Sequence, residues 1–196
     1  MRSLCYTLVD LVVVSPKRGV GGSNPLGDVW IKAGIVTAYM LNIYPLFYFM
    51  VYAPLTGQVK PLSEVPDETF SKDVLGRGAA IISSEGKLYS PVDGKVSTVM
   101  DTRHALGISG PGESELLIHI GLEIVSLGGK YFSPKVKEGD EVKVGDLLIE
   151  FDLEAIKKDF KTITPVLIMN ADDYDEIIPM KTDGNIQAGE PFYEVK

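Results

Sequence analysis

The sequence predicts an all-β protein built as a duplicated barrel-sandwich hybrid, that is, two related β halves with little helix. From residue 51 onward, short β-branched runs alternate with Gly, Pro and Asp, a pattern typical of strands joined by tight turns. Two pairs of segments also repeat: "YAPLTGQV" (52–59) matches "YSPVDGKV" (89–96), and "GDEVKVGDLLIEF" (139–151) is similar to "GNIQAGEPFYEV" (184–195). Internal repeats of this kind indicate that one β unit has been duplicated.

The first 49 residues lack this pattern and are expected to form an N-terminal extension to a domain over residues 50–196. The opening "MRSLCYTLVDLVVVS" carries Asp10 and no clear cleavage site, so it makes a poor signal peptide. Residues 33–53 are uncharged and compatible with a transmembrane helix, but Pro45 interrupts them and their end enters the first repeat. That leaves about 17 residues, the lower limit for a span. The preferred interpretations are a remnant of a fused membrane domain or a non-native upstream segment.

Each repeat carries its own turn signals. Pro54 and Pro91 are expected to open turns, and Gly57 and Gly94 to supply a positive φ before the next strand. The repeats therefore predict two equivalent strand pairs.

Helix is expected at two places only. Asp152 is a candidate N-cap for a short helix near 153–160, with Glu154 in the first turn and lysines near the end, in agreement with the helix dipole. The stretch "DETFSKDVLG" (67–76) is expected to hold a helical turn that ends at Gly76.

Composition and charge exclude some partners. The 196 residues are 45% hydrophobic and 23% charged, as in ordinary globular proteins, but the net charge is −8 and the pI about 4.8. Phosphate backbones repel such a surface, so nucleic acid is not expected as a partner, whereas a basic protein face would be attracted. The one cysteine, Cys5, excludes an internal disulfide and suits a reducing compartment. Without Cys-x-x-Cys or His-x-His, a zinc cage built from this chain alone is not expected.

The two histidines of the chain, His104 and His119, lie on either side of a Gly-Pro-Gly turn. "RHALGIS" and "LLIHI" read as the strands of one hairpin, with "GPGE" (110–113) as its loop. If Gly110 faces Glu113 across that loop, the histidines lie directly opposite each other, with Cβ atoms roughly 4.5–5.5 Å apart. A slip of one residue would move them to opposite faces. Adjacent imidazoles repel when both are charged, so at least one should be neutral and expose a lone pair, as a nucleophile or a metal ligand.

Several ordered motifs identify a family resemblance. "DTRHALGI", "LLIHIGLEIVSLGGKYF", "VKEGDEVKVGDLLIEFDLEAIK" and "TPVLIMN" resemble the enzyme IIA domain of the phosphoenolpyruvate-dependent sugar phosphotransferase system, in its glucose and β-glucoside group. The resemblance runs from about residue 51 to the end. It implies a cytoplasmic phosphotransferase at the inner face of the membrane beside its permease. Such a domain accepts a phosphoryl group from the histidine-containing phosphocarrier protein and passes it to a cysteine of an enzyme IIB domain, which phosphorylates the incoming sugar.

The resemblance also assigns roles to residues, with no cofactor and no metal. His119 falls on the phosphorylated histidine, His104 on the histidine that supports the phosphoryl group, and Thr102 on the threonine that orients the pair. The chemistry agrees, because phosphoryl transfer needs positioning and charge stabilisation more than covalent machinery. His119 would attack through one ring nitrogen while a hydrogen bond at the other fixes its tautomer.

A partner-docking face is implied around the pair, including the "VPDETF" loop (65–70). Its apolar candidates are Phe70, Val74, Met100 and Leu117, and its candidate acids are Asp67 and Glu123, which would face a basic partner. Glu123 stands where the family usually has aspartate, and Glu68 and Thr69 replace apolar residues, so partner affinity could differ.

Three alternatives compete with this interpretation. A zinc peptidase of a related fold needs His-x-His and a further histidine, which this chain cannot supply. A biotin or lipoate carrier needs a Met-Lys-Met motif, which is absent. A regulatory binding module without phosphotransfer remains the main alternative, although the presence of Thr102, His104 and His119 together argues against it. Relatives also bind regulated target proteins, so such partners stay open.

Overall fold

A computed structural model describes residues 48–196 of the chain. The strands are β1 Phe49–Tyr52, β2 Gly57–Pro61, β3 Arg77–Ser83, β4 Lys87–Tyr89, β5 Gly94–Val99, β6 Ala105–Ser109, β7 Glu115–His119, β8 Phe132–Pro134, β9 Glu141–Val142, β10 Leu147–Phe151, β11 Ile163–Ile168, β12 Ile177–Pro179, β13 Asn185–Ile186 and β14 Pro191–Val195. The helices of this part of the chain are α1 Glu68–Ser71 and α2 Leu153–Ile156, with 3₁₀ turns at Leu62–Glu64, Pro111–Glu113, Ile124–Leu127 and Ala171–Asp173. The predicted all-β class is confirmed. The predicted extension lies outside the described residues, except for its last two positions.

The strands form one large and two small antiparallel sheets. The large sheet has eight strands in the order β13-β2-β3-β11-β7-β6-β5-β9. The small sheets have the orders β1-β14-β12 and β4-β10-β8. In the described residues, no helix is long and apolar enough to cross a membrane.

Reciprocal hydrogen bonds relate the two halves. The Tyr52 N–H donates to the Pro91 carbonyl at 2.9 Å, and the Tyr89 N–H donates to the Pro54 carbonyl at 2.8 Å. The next residue of each repeat also makes an equivalent hydrogen bond. The Ala53 N–H donates to the Glu190 carbonyl, and the Ser90 N–H donates to the Asp146 carbonyl. Matching positions of the sequence repeats thus occupy matching positions in the fold, which confirms the duplication.

The two repeat glycines are required for a different reason from the predicted one. Neither Gly57 nor Gly94 has a positive φ. A Cβ at Gly57 would lie 2.0 Å from the Ile82 carbonyl oxygen, and one at Gly94 would lie 2.4 Å from that of Ser109. Close backbone packing between neighbouring strands therefore selects glycine here, and the expected backbone conformation was wrong.

The large sheet separates two apolar clusters. The main core lies on one face and contains residues of both halves. The second cluster lies on the other face and consists of Leu62, Val65, Phe70, Ala80, Leu122, Ile163 and Leu167. Strand β11 is buried at every position because its side chains alternate between the two clusters. The chain segment around α1 covers that outer face and brings Phe70 toward the end of β7.

Both helices are shorter than the sequence predicts. Asp152 caps α2 as expected, since its carboxylate accepts a hydrogen bond from the Ala155 N–H at 2.9 Å. The α-helix ends at Ile156, and hydrogen-bonded turns continue to Phe160. Helix α1 likewise ends at Ser71, before Gly76. Short apolar faces pack against the sheets, so neither segment gains from further helical turns.

Candidate functional site

The β6–β7 hairpin carries both histidines to one end of the large sheet. Ala105 lies directly opposite His119, so the predicted register, with His104 opposite His119, was wrong by one residue. His104 instead precedes β6, and its carbonyl accepts a hydrogen bond from the Ile120 N–H at 2.8 Å.

The loop of the hairpin explains the shift. The Gly110 N–H donates to the Ser114 carbonyl at 2.8 Å, so Gly110 is paired with Ser114 and not with Glu113. Gly112 (φ 65°) and Glu113 (φ 62°) both take the left-handed conformation within the intervening turn. A non-glycine residue seldom adopts this conformation, so the sequence favoured the shorter loop.

The two imidazoles nevertheless meet. The Nε2 atoms of His104 and His119 are 3.1 Å apart, and the rings lie edge to face with centroids separated by 4.6 Å. His104 is fully buried and its ring lies 6.4 Å from that of Phe132 in the main core. The His119 ring packs 5.3 Å from Phe70 in the second cluster. The histidines therefore approach from the two apolar clusters and meet at the end of the sheet.

Hydrogen bonding fixes the tautomer of His119. Its Nδ1 lies 2.8 Å from the Gly121 carbonyl oxygen, which can only accept, so Nδ1 carries the proton. In the neutral ring Nε2 then holds the lone pair. The Nε2–H of His104 donates to that lone pair. The pair thus offers one nucleophilic nitrogen with a donor already aimed at it.

Burial keeps both rings neutral. Desolvation lowers the pKa of His104 below its usual value, and the neighbouring His119 lowers it further, while the backbone of Thr102 raises it. Desolvation also lowers the pKa of His119, against the Gly121 carbonyl and the nearby Asp67 carboxylate, which raise it. Each shift is downward, so the His119 lone pair is available at neutral pH.

These shifts predict a loss of stability in mild acid. Folded His104 and His119 have pKa values below the 6.5 of an exposed histidine. As the pH falls below 6.5, the unfolded chain binds protons first, so the free energy of unfolding decreases, whereas above 6.5 this contribution is fully retained. Urea denaturation at about pH 7.5 and about pH 5.5 measures the effect. The variant His104→Gln should lose less stability between the two pH values than the parent, and an equal loss would contradict the explanation.

Gly121 supports the pair through its backbone. It has a φ of 68°, and a Cβ at this position would lie 2.9 Å from the Lys161 carbonyl oxygen. Glycine therefore lets the chain turn sharply after β7 and return its carbonyl to the Nδ1 atom of His119.

Thr102 lies beside the pair, but its hydroxyl does not orient it in this state. The Oγ1 atom of Thr102 and the Nδ1 atom of His104 are both buried and lack a hydrogen-bond partner within residues 48–196. The backbone of Thr102 raises the pKa of His104. The hydroxyl is thus left available for a group that enters the site.

The expected docking residues divide into exposed and buried ones. Val74 is 69% exposed and Met100 is 44% exposed, so both offer apolar surface. Leu117 is half-buried beside the second cluster. Phe70 is only 5% exposed and supports the His119 ring, and its place in the docking face stays a prediction.

The two candidate acids lie on either side of His119 in the sequence. The Asp67 carboxylate accepts a hydrogen bond from the Thr69 N–H at 2.8 Å and so caps α1. Glu123 is exposed and takes the left-handed conformation, with a φ of 59°. Two residues further on, Val125 is 59% exposed. The sequence does not indicate this exposure, because "IVSL" resembles a core segment and only the 3₁₀ turn shows which side chain points outward.

In residues 48–196, no group of three or more His, Cys, Asp and Glu side chains lies close enough together to hold a metal ion. The pair itself supplies two nitrogens.

A duplicated β-sandwich with one nucleophilic imidazole nitrogen at a sheet end has the features expected of a domain that carries a phosphoryl group on histidine. The comparisons with known proteins agree. Residues 49–174 match the family described as phosphoenolpyruvate-dependent sugar phosphotransferase system, EIIA 1. The chain therefore belongs to this family, whose members are phosphotransferases.

One curated relative and one solved structure are similar over about three quarters of the chain. The β-glucoside-specific EIIBCA component of Bacillus subtilis (strain 168) is 46% identical over 142 residues, which is 72% of this chain. The chain spans only 23% of that relative's length. The glucose permease IIA from Mycoplasma capricolum is 33% identical, with a TM-score of 0.69, and the match covers 76% of this chain and 97% of that one.

Proposed function

We propose that this chain carries a phosphoryl group on the Nε2 atom of His119. The observation that carries the proposal is the 3.1 Å approach of the two Nε2 atoms, with the His119 proton held on Nδ1 by the Gly121 carbonyl. This arrangement leaves one lone pair, directed to the site that a phosphorus atom would enter. The histidine-containing phosphocarrier protein is the proposed donor, and the cysteine of an enzyme IIB domain is the proposed acceptor.

Phosphoryl transfer to and from His119 needs no cofactor, because each step breaks one bond to phosphorus as it forms another. The Nε2 lone pair attacks phosphorus on the donor, the donor's P–N bond breaks, and its electron pair returns to the donor nitrogen. In the second step an acceptor thiolate attacks phosphorus, the bond to Nε2 breaks, and the electron pair returns to Nε2. Both steps depend on in-line placement and on stabilisation of the charge on the phosphoryl oxygens.

His104 is proposed to stabilise that charge. Its Nε2–H donates to the lone pair of His119 in the free protein, and once phosphorus occupies that position the same donor would face a phosphoryl oxygen. Because the two Nε2 atoms are only 3.1 Å apart, the rings must separate to admit the phosphoryl group, after which the Nε2–H of buried His104 can donate to a phosphoryl oxygen. The buried hydroxyl of Thr102 has no hydrogen-bond partner among the described residues. It is proposed as a second donor that helps to orient the histidine pair.

The surface around His119 is the proposed docking face for both partners. It combines the exposed side chains of Val74, Met100 and Val125 with half-buried Leu117. Asp67 and Glu123 add negative charge, which suits partners with a basic face.

A single substitution separates the two roles of Asp67. We expect Asp67→Asn to keep the N-cap, since an amide oxygen can accept from Thr69, while removing the charge. The rate of phosphoryl uptake should fall about three- to tenfold at low salt and by less at high salt. The rate of phosphoryl uptake from the histidine-containing phosphocarrier protein, measured at two salt concentrations, tests this effect.

The matched control for this prediction is Asp67→Ala. It removes both cap and charge and should also lower the free energy of unfolding by about 1 kcal/mol. If the asparagine variant takes up phosphate at the parental rate at both salt concentrations, Asp67 has no part in docking.

The setting of the reaction is proposed from the relatives. A β-glucoside is the first sugar class to test, because the 46% identical relative is β-glucoside-specific. The domain would act in the cytoplasm at the inner face of the membrane, next to its permease. Residues 1–49 are proposed to be an extension that is not part of this domain. Regulated target proteins are proposed as further partners of the same face.

The proposal is tested by incubating the chain with phosphoenolpyruvate, enzyme I and the histidine-containing phosphocarrier protein, and mapping the incorporated phosphate. Phosphate on His119 supports it. Absence of incorporation would favour the non-catalytic regulatory binding module.

A further inference from the structure

A groove of about 380 Å³ opens on the outer face of the large sheet, apart from the histidine pair. Its floor is apolar and includes Ile82 of β3, Ile163 of β11 and Phe160 of the segment that joins α2 to β11. Ile82 and Phe160 are only half-buried, so this floor remains partly open to solvent. A concave apolar site of this size fits one small molecule.

Three lysines surround this floor, on a chain whose net charge is −8. Lys60 is paired with Glu64 at 2.7 Å, and Lys157 is paired with Glu154. Lys161 has no carboxylate within 4.0 Å among the described residues. Glu64, the partner of Lys60, also lines the groove, so its rim holds ion-paired lysines and one uncompensated ammonium group, that of Lys161, around an apolar floor.

The walls of the groove are connected to the phosphorylation site. The Lys161 carbonyl accepts a hydrogen bond from the Leu122 N–H at 2.9 Å, next to Gly121, whose carbonyl holds His119. On the other wall, Pro66 directly precedes Asp67. A molecule in the groove would therefore contact both segments that support the docking face.

We propose that this groove binds a small organic phosphate that carries one apolar ring. The ring would lie on Ile82, Phe160 and Ile163, and the phosphate would pair with Lys161. An anion suits the uncompensated ammonium group of Lys161 better than a neutral ligand does. The proposed site is distinct from the histidine pair and does not depend on phosphotransfer.

The test is a titration of the full ¹⁵N-labelled chain with phenyl phosphate, followed through its backbone amides. Saturable shifts are expected at Ile82, Thr162 and Ile163, with much weaker effects from inorganic phosphate or phenol at equal concentration. The variant Lys161→Gln should weaken binding about threefold or more, as expected for the loss of one partly exposed ion pair.

Lys143→Gln is the matched control, because Lys143 is exposed and does not line the groove. Its affinity should equal that of the parent. The proposal is overturned if the shifts centre on His104 and His119, if no saturable shift occurs, or if the Lys161 and Lys143 variants bind equally well. Since the readout is binding alone, this outcome is independent of whether His119 is phosphorylated.

Discussion

Replacing His119 with glutamine or alanine should reduce phosphate incorporation from phosphoenolpyruvate to background. The Nε2 atom supplies the lone pair that attacks phosphorus, and neither substitute offers a nucleophile at that position. The measurement is protein-bound radiolabelled phosphate after incubation with enzyme I and the histidine-containing phosphocarrier protein.

The control for this variant is its fold. His119 is half-buried and packs on Phe70, so circular dichroism and urea denaturation must show that the substituted chain remains folded. Glutamine is the better substitute, because it fills more of the space beside Phe70. Labelling of a folded variant at the parental level would contradict the assignment of His119 and favour the regulatory binding module.

Replacing His104 with alanine should give a different result: the chain still takes up phosphate but fails to deliver it. His119 keeps its proton on Nδ1 through Gly121, so its nucleophile is intact and slow labelling can reach completion. Delivery to the enzyme IIB domain must be fast enough for sugar uptake. In the alanine variant this step lacks the N–H donor of His104, whose Nε2 atom lies 3.1 Å from the reacting Nε2 atom of His119 in the parent. Loss of one such donor lowers the rate about 10²- to 10³-fold.

Rapid mixing of the pre-phosphorylated chain with an enzyme IIB domain measures this delivery step. His104→Gln serves as the matched variant, since its amide N–H₂ can donate and should restore part of the rate. If His104→Ala delivers phosphate as fast as the parent, the burial of His104 serves packing alone and the stabilising role is withdrawn.

The sequence predicted the strands and the meeting of the imidazoles, but not the register between them. The motifs around His104 and His119 place both residues at one end of a hairpin, whatever the loop. The register depends on the backbone conformation of Gly112 and Glu113, which are both left-handed. Glutamate seldom adopts this conformation, so the sequence gives no indication of it at position 113. Local sequence therefore gives the elements of the site and not its geometry.

Features that depend on distant contacts were also beyond prediction. Phe70 lies in the segment expected to dock a partner, yet it is buried because α1 folds onto the outer face of β3 and β11. Glycine at 57 is explained by the carbonyl of Ile82 on the adjacent strand, not by its own turn. In both cases a neighbour far along the chain decides the role of the residue.

The pairing of β1 with β14 has a consequence for how this domain can be joined to others. Phe49 lies opposite Val195 and Met50 opposite Glu194, so the first and last strands of the domain run side by side. Polypeptide attached before β1 or after β14 therefore departs from one neighbourhood of the surface. Evolution can place such a unit at either end of a longer polypeptide, or splice it into the middle of one, without disturbing the hairpin that carries the histidines.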